Sequence, residues 1–205
     1  MKKAVFIDKD GTLIEDVPYN CDVTRMRLMP GASAGLRALH DAGYALIVIS
    51  NQAGVALGHF PEESLKAVET YLQTLLADAG VPLDGFYYCP HHPEGAIGRY
   101  AVSCVCRKPE PGLILQAARE HGIDPNWSWM VGDILHDVEA GRRAGCQTVL
   151  IHNGHETEWQ LSPLRWPHYL AENMIQASQC ILLAEHMEKR SQRDAECRRE
   201  GPYAC

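Results

Sequence analysis

Two aspartates separated by one residue follow the first apolar run of the sequence. Residues 4–7 are small, β-branched or aromatic, Asp8 and Asp10 come next, and Gly11 then lets the chain turn. Alternate side chains of a strand point the same way, so we expect the two carboxylates to share a small volume and Lys9 to point away. Two close acids need a cation, which predicts Mg2+, with one carboxylate as nucleophile and the other as proton carrier. The alternative is a surface turn with two solvated acids.

Polar side chains also follow two later apolar runs. Residues 44–52 form a run that ends in Ser50, Asn51 and Gln52, and residues 128–133 form a run that ends in Asp133. Such continuous apolar runs are typical of strands buried on both faces of a parallel sheet, which binds its ligands at the carboxyl ends of the strands. We therefore expect these side chains to lie close to the first aspartate pair.

Two further features extend this candidate site. Arg107 and Lys108 precede Pro109, which predicts a defined turn that presents a planar guanidinium and a compact charge to phosphate oxygens. A solvated surface pair is the alternative. Asp137 lies one helical turn after Asp133, which allows two roles. It either orients a metal ligand without binding the metal itself, or it places a favourable negative charge at a helix N-terminus.

These chemical groups need a scaffold, and strands alternating with helices predict an α/β fold with a doubly wound parallel sheet. We expect one domain over residues 1–190, with a poorly ordered tail over residues 191–205 because that segment is rich in charge. Residues 15–30 are polar and form a candidate substrate-contacting loop. The predicted strands cover residues 4–7, 44–52, 85–89, 128–133 and 147–151, and the predicted helices cover residues 31–43, 61–79, 113–121, 137–144 and 174–190.

Three of the eight cysteines cluster with histidines in residues 89–106. Cys89, Cys104 and Cys106 supply three thiolates, and one imidazole would complete a tetrahedral structural Zn2+ site that holds this loop together. The residues alone leave His91 and His92 as alternatives for the fourth ligand. Buried thiols without metal are the other interpretation, and the remaining cysteines are expected to be reduced thiols.

Composition restricts the function classes. The chain has 205 residues, 46% of them apolar and 22% charged, with a formal net charge of -7. The acidic balance and the absence of a basic cluster argue against a nucleic-acid partner. Apolar runs are too short to cross a membrane and no signal-peptide core follows the first residues, so we expect a cytoplasmic protein without a membrane partner. A monomer is also expected.

The four groups together resemble the motifs of the haloacid dehalogenase-like phosphatases, in order and across almost the whole chain. The matching segments are Asp8-Lys9-Asp10-Gly11-Thr12, Ser50-Asn51, Lys108, and Gly132-Asp133 with Asp137. The resemblance implies a phosphatase with no large cap domain, in which Asp8 attacks phosphorus, Asp10 moves protons, and Ser50 and Lys108 stabilise the phosphoryl group. It also implies that Mg2+ binds Asp8, Asp133 and the backbone carbonyl of Asp10.

The cysteine loop resembles one branch of this family, which holds the heptose 1,7-bisphosphate 7-phosphatases and the histidinol phosphatases. Residues 92–103 form a long gap between the two halves of the cysteine cluster, and its length resembles that found in the heptose enzymes. Those enzymes act in the synthesis of nucleotide-activated heptose for surface polysaccharide. The resemblance implies His91 as the zinc ligand and Arg107 as a substrate-recognition residue. It further implies a phosphorylated sugar as substrate, with contacts from Asp16, Tyr19, Ser50, Asn51, Gln52, Ala53, Arg107 and Lys108.

Two alternatives remain at this point. One is a histidinol-phosphate phosphatase, and the other is a phospho-accepting receiver or zinc-dependent binding module that is phosphorylated on Asp8. Receivers carry their phosphorylated aspartate on a later strand, which argues against the second. One departure from the family pattern is Ile134, which stands where a basic residue often follows the Gly-Asp pair.

Overall fold

The computed structural model describes residues 2–200, with side chains described for residues 2–191. One six-stranded sheet forms its centre, and each pair of neighbouring strands is parallel. The strands are β1 (Ala4–Ile7), β2 (Ala45–Asn51), β3 (Gly85–Cys89), β4 (Trp129–Gly132), β5 (Gln147–Ile151) and β6 (Tyr169–Ala171). The helices are α1 (Ala32–Asp41), α2 (Ser64–Asp78), α3 (Gly112–His121), α4 (Leu135–Ala144) and α5 (Met174–Glu200).

The strand order β3-β2-β1-β4-β5-β6 places β1 in the middle of the sheet, between β2 and β4. Ile7, the last residue of β1, pairs with Val48 of β2 and with Val131 of β4. The residues that follow these three strands therefore emerge at one edge of the sheet, which is the arrangement predicted for the candidate site.

The core lies on both faces of the sheet, because alternate residues of the buried strands point to opposite sides. Val5 and Ile7 pack with the buried residues of α1, α2 and α5 on one face. Ala4 and Phe6 pack with those of α3 and α4 on the other. This three-layer arrangement confirms the predicted doubly wound α/β class.

Two elements at the C-terminal end differ from the prediction. β6 has only three residues, two of them exposed, and an apolar segment this short does not indicate a strand in the sequence. The last helix is longer than predicted, since α5 ends at Glu200 and not at residue 190. The segment of residues 191–200 contains good helix formers such as Arg, Gln, Glu and Ala, and it lacks glycine and proline before Gly201. Residues 201–205 lie outside the described residues.

Among the helices that the structure describes, none has the combination of length and apolar character needed to cross a bilayer.

Candidate active site

Three buried carboxylates meet at the carboxyl edge of the sheet. Asp8 directly follows β1, Asp133 follows β4, and Asp137 lies in the first turn of α4. Each offers one carboxylate oxygen, and these oxygens lie within 4.8 Å of one another. The residues are only 8%, 4% and 0% exposed, so their charges are largely removed from water.

Lys108 provides the cation that faces this group. Its Nζ donates hydrogen bonds to Asp8 Oδ1 and, at 2.9 Å, to the carbonyl oxygen of Ile49, and it lies 2.7 Å from Asp137 Oδ1. Burial by itself would lower the pKa of Lys108, but the carboxylates of Asp137 and Asp8 outweigh burial and raise it. Lys108 is therefore a fixed positive charge at the centre of the site.

Asp137 lies at the start of α4, and its two carboxylate oxygens have different partners. Its Oδ2 accepts a hydrogen bond from the N–H of Ile134 at 3.3 Å, at the start of α4, and its other oxygen faces Lys108. It packs against the bare Cα of Gly132, where a Cβ would lie 2.2 Å from Asp137 Oδ2. Burial raises the pKa of Asp137 to about 7, although Lys108 opposes this shift.

Asp133 is held from two sides. Thr12 donates its hydroxyl to Asp133 Oδ1 at 3.0 Å, and His155 Nδ1 lies 2.6 Å from Asp133 Oδ2. Burial raises the pKa of Asp133 to about 6, with a further increase from the nearby Asp8 charge. The contacts with Thr12 and His155 therefore orient the Asp133 carboxylate, while burial and the Asp8 charge disfavour its ionised form.

The donor set fits Mg2+. Asp8, Asp133 and Asp137 bring three acids together against the single charge of Lys108, and all their donor atoms are oxygens, which Mg2+ prefers. Asp137 Oδ1 is buried and has the Lys108 ammonium as its ionic partner at 2.7 Å, so Lys108 neutralises only part of the charge of this group. A divalent cation would offset both the burial and the repulsion from Asp8 that raise the pKa values of Asp133 and Asp137.

Asp10 lies beside this group in a different environment. Lys9 Nζ contacts its Oδ1 at 2.7 Å, and Gln52 Nε2 donates to its Oδ2 at 3.1 Å. Burial is the main cause that raises the pKa of Asp10, Lys9 lowers it, and Asp8 raises it further. The prediction that Lys9 points away is wrong: β1 ends at Ile7, so strand alternation stops before Lys9, and its buried ammonium pairs with the neighbouring acid.

The second predicted motif supports the site from β2. Ser50 is buried, and its Oγ accepts a hydrogen bond from Gln52 Nε2 at 2.7 Å. Asn51 accepts from the Lys108 N–H at 3.0 Å and donates to the Lys108 carbonyl at 3.1 Å. Both ends of the Asn51 amide are therefore engaged by the backbone of the lysine that faces Asp8.

A cavity of about 290 Å3 opens next to Asp10. It is lined by the segment from Asp16 to Asn20 and by Asn51, Gln52 and Ala53, most of the predicted substrate contacts. Tyr19, at its rim, adopts a φ of 51° and stacks on His59 with ring centroids 4.3 Å apart. Arg107 is not part of this lining; its Nη1 donates to the carbonyl of His91 at 3.3 Å.

The cysteine cluster forms a second candidate metal centre. Cys106 Sγ lies 3.1 Å from the sulfurs of both Cys89 and Cys104, and His91 Nδ1 lies 3.3 Å from Cys106 Sγ. These separations exceed the disulfide length of about 2.05 Å. His92 turns away, and its Nδ1 accepts from the Glu94 N–H at 3.2 Å. Three sulfurs and one imidazole nitrogen in mutual contact fit tetrahedral Zn2+.

The cluster is anchored on both sides. The hydroxyl of Tyr100, in the same loop, donates to Glu62 at 2.5 Å, next to the start of α2. On the other side, Cys106 is followed directly by Arg107 and Lys108. The cluster therefore lies two residues from the buried lysine of the active site.

Several residues of the site are not indicated by the sequence. Thr12 belongs to the first motif without a predicted role of its own, and no role is predicted for Asn153, His155 or Glu156, which follow β5 and approach the same edge. The rule that ligands bind beyond the carboxyl ends of parallel strands would have indicated the residues after β5. Their polar character alone is too common in loops to indicate them.

Comparison with known proteins gives consistent matches. A family model described as HAD-hydrolase-like matches residues 105–177. A D-glycero-beta-D-manno-heptose-1,7-bisphosphate 7-phosphatase from Pasteurella multocida is 46% identical over 155 residues, which cover 75% of this chain and 84% of the relative. A protein of the same name from Escherichia coli K12 is 40% identical over 152 residues, which cover 74% of this chain and 80% of the relative.

Solved structures agree with the fold. The D,D-heptose 1,7-bisphosphate phosphatase from B. bronchiseptica, complexed with magnesium and phosphate, has a TM-score of 0.71 at 26% identity, covering 90% of this chain and 99% of that one. A structure from Mesorhizobium loti described as a HAD-like phosphatase has a TM-score of 0.76 at 30% identity, covering 88% and 87% of the two chains.

Proposed function

The chain belongs to the D-glycero-beta-D-manno-heptose-1,7-bisphosphate 7-phosphatase family of haloacid dehalogenase-like hydrolases, and we propose that it is a Mg2+-dependent phosphatase that removes the 7-phosphate of D-glycero-D-manno-heptose 1,7-bisphosphate. The observation that carries this proposal is the buried group of Asp8, Asp133, Asp137 and Lys108. The relatives' name specifies the β configuration at C1, so we expect the β anomer to be the better substrate.

In the first half-reaction, an oxygen of Asp8 forms a bond to phosphorus in line with the oxygen that leaves. The bond between phosphorus and the sugar oxygen at C7 breaks, and Asp10 gives its proton to that oxygen. The raised pKa of Asp10 supports this role, because a protonated carboxyl is required before transfer. Asp8, Asp133 and the backbone carbonyl of Asp10 would hold Mg2+, which would supply positive charge to the phosphoryl oxygens.

In the second half-reaction, Asp10 takes a proton from a water molecule that attacks the aspartyl-phosphate. The bond between phosphorus and Asp8 breaks, and inorganic phosphate and the free carboxylate result. Asp10 returns to its protonated form, so protons balance over the cycle. Its hydrogen bond from Gln52 and its contact with Lys9 hold the carboxyl at the mouth of the cavity throughout.

Lys108 and Ser50 stabilise the transferring phosphoryl group in this proposal. Lys108 stays charged because Asp137 and Asp8 raise its pKa, and its ammonium already contacts the attacking carboxylate. A buried cation stabilises developing charge more strongly than a solvated one, since water does not screen it. Asp137 acts through Lys108 and Mg2+ rather than on the substrate.

The sugar would occupy the cavity beside Asp10. Asp16, Asn51, Gln52 and the backbone near Ala53 offer hydrogen-bonding groups to sugar hydroxyls, and Tyr19 offers an aromatic face. Arg107 would bind the second phosphate of the bisphosphate, because it directly precedes Lys108 and its guanidinium suits phosphate oxygens.

Structural Zn2+ bound by Cys89, His91, Cys104 and Cys106 would hold the segment that carries Arg107 and Lys108. Three thiols in contact without a disulfide suit a reducing compartment, which supports a cytoplasmic location. We also infer that the protein works as a monomer without a nucleic-acid partner, in the synthesis of nucleotide-activated heptose. Light scattering after size exclusion tests the oligomeric state.

Phosphate release tests the proposed activity. The substrates are the α and β anomers of the heptose bisphosphate and histidinol phosphate, each with and without Mg2+. We expect Mg2+-dependent turnover, fastest on the β anomer, and its loss in Asp8→Asn. Asp41→Asn, at an exposed position of α1, is the matched control and should keep native turnover.

Three results would overturn the proposal. Faster turnover of histidinol phosphate would indicate the sister activity. One equivalent of phosphorylation without turnover would indicate a receiver. Retained turnover in Asp8→Asn would mean that another residue is the nucleophile.

A further inference from the structure

The loop that follows β5 contacts three parts of the active site through three different side chains. Asn153 Nδ2 donates to the carbonyl of Gly11 at 2.7 Å. His155 Nδ1 lies 2.6 Å from Asp133 Oδ2. Glu156 Oε2 accepts from the N–H of Leu135, the first residue of α4, at 2.6 Å.

Each contact reaches a segment that carries a reacting or metal-binding group. Gly11 follows Asp10, Asp133 is itself a proposed Mg2+ ligand, and Leu135 lies two residues before Asp137. The segment of residues 153–156 thereby links the ends of β1 and β4, which are separated by more than a hundred residues in the chain. The loop is also ordered internally, because Asn153 Oδ1 accepts from the His155 N–H at 3.3 Å.

The central contact is that of His155 with Asp133. A carboxylate only accepts hydrogen bonds when ionised, so His155 Nδ1 is the donor in that state. Thr12 donates to the other oxygen of the same carboxylate. With one donor on each oxygen, the plane of the Asp133 carboxylate is fixed, while each oxygen keeps a lone pair for a metal.

Gly11 leaves space for the contact between His155 and Asp133 because it has no side chain. Gly11 has a φ of +80°, and a Cβ there would lie 2.1 Å from Asp133 Oδ2 and 2.4 Å from His155 Nδ1. The contact between histidine and aspartate therefore packs directly on the bare Cα of Gly11. The side chain of His155 is 36% exposed, so burial of its ring is not the main reason for its position.

We propose that His155 is a positioning residue for Mg2+, which holds the Asp133 carboxylate in its metal-binding orientation, and that Asn153 and Glu156 attach this loop to the ends of β1 and β4. The inference rests on the proposed function, because it assigns Mg2+ to this carboxylate. Hydrogen bonds from such outer residues orient carboxylate ligands, and their loss typically weakens metal binding about 10–100-fold. Because His155 is partly exposed, we expect a loss near the lower end, about 10-fold.

The test is a calorimetric titration of Mg2+ into the zinc-loaded protein without substrate. His155→Ala removes the donor, and His155→Asn places an amide nitrogen close to the position of Nδ1. We expect about 10-fold weaker Mg2+ binding for His155→Ala and a return to within about 3-fold of native for His155→Asn. Glu158→Ala is the control, since Glu158 is exposed in the same loop and donates a hydrogen bond through its backbone N–H.

A kinetic measurement separates positioning from a general structural effect. For His155→Ala we expect a higher Mg2+ concentration at half-maximal rate and a kcat near the native value at saturating Mg2+. A lower kcat at saturation with unchanged Mg2+ affinity would overturn the proposal. Native affinity in His155→Ala, or an equal loss in His155→Asn, would also overturn it.

The titration does not depend on turnover. If the native protein binds Mg2+ but releases no phosphate, the proposed function fails while the His155 comparison still decides this inference. If the native protein does not bind Mg2+, the inference is overturned.

Discussion

The side-chain amide of Asn51 forms a hydrogen bond with each backbone group of Lys108. Asn51 Oδ1 accepts from the N–H at 3.0 Å, and Nδ2 donates to the carbonyl at 3.1 Å. Asn51 is the last residue of β2, so the sheet itself determines where the backbone of Lys108 lies. The ammonium of Lys108 then reaches Asp8 at the end of β1 and Asp137 in the first turn of α4.

This relationship predicts that Asn51 acts on catalysis through Lys108. Asn51→Ala removes two hydrogen bonds, each worth about 1 kcal/mol, and we expect a 10- to 100-fold lower kcat because the ammonium is no longer fixed. A double-mutant cycle measured by steady-state kinetics checks this. In a Lys108→Ala background, Asn51→Ala should have little further effect, whereas independent effects of the two changes would contradict the prediction.

Because Gly11 is closely packed, we expect an added methyl group to destabilise the protein more at Gly11 than at an open glycine. Gly11→Ala introduces strain at a φ of +80° and a Cβ 2.1 Å from Asp133 Oδ2. Gly43 has a similar φ of +83°, and a Cβ added there would meet nothing within 4 Å, so Gly43→Ala isolates the backbone strain. We expect Gly43→Ala to cost about 1–2 kcal/mol of unfolding free energy with normal activity.

For Gly11→Ala we expect a larger loss of stability together with a loss of Mg2+ binding, because Asp133 and His155 must both move. Denaturant unfolding and the Mg2+ titration measure the two effects. Equal behaviour of the two alanine variants would show that the contact with Asp133 is unimportant.

The cysteine cluster predicts a link between zinc content and the position of Lys108. Cys104→Ser removes one sulfur ligand, so we expect less bound zinc, a lower melting temperature and a lower kcat, because the loop ends two residues before Lys108. Elemental analysis and thermal unfolding provide the measurements. Cys180→Ser, outside the cluster, is the control. A Cys104→Ser protein with a full equivalent of zinc would refute the proposed ligand set.

The raised pKa values predict that Mg2+ binding depends on pH. In the metal-free protein the pKa of Asp133 is about 6 and that of Asp137 about 7, mainly because both are buried. Below these values the carboxyls are neutral and protons compete with Mg2+, so affinity should fall as the pH decreases from about 8 to about 5.5. Above about pH 8 we expect it to level off.

Calorimetry in buffers of different ionisation enthalpy measures this effect, because binding near about pH 6.5 should release protons. Asp137→Asn should release fewer protons than the native protein. Binding that is independent of pH over this range would show that the two carboxyls are already ionised.

The sequence alone indicated the fold class and most of the residues that meet at the sheet edge. Burial on both faces produces continuous apolar runs, and a polar residue that ends such a run lies at a strand end whatever the details of packing. Asp8, Asn51 and Asp133 were identified from this local pattern. The cysteine spacing likewise indicated a metal cluster, but it left His91 and His92 as equal candidates.

Only the tertiary structure decided which groups touch. It placed His91 rather than His92 beside the thiols, paired Lys9 with Asp10, joined Asn51 to the Lys108 backbone, and brought His155 onto Asp133. It also extended α5 to Glu200. Periodicity and strand ends are local properties of the chain. Most of these contacts join residues that only packing brings together, and the contact of Lys9 with Asp10 depends on where β1 ends. The physical reason is that local sequence determines burial, but the partner of a buried polar group is selected by the whole folded chain.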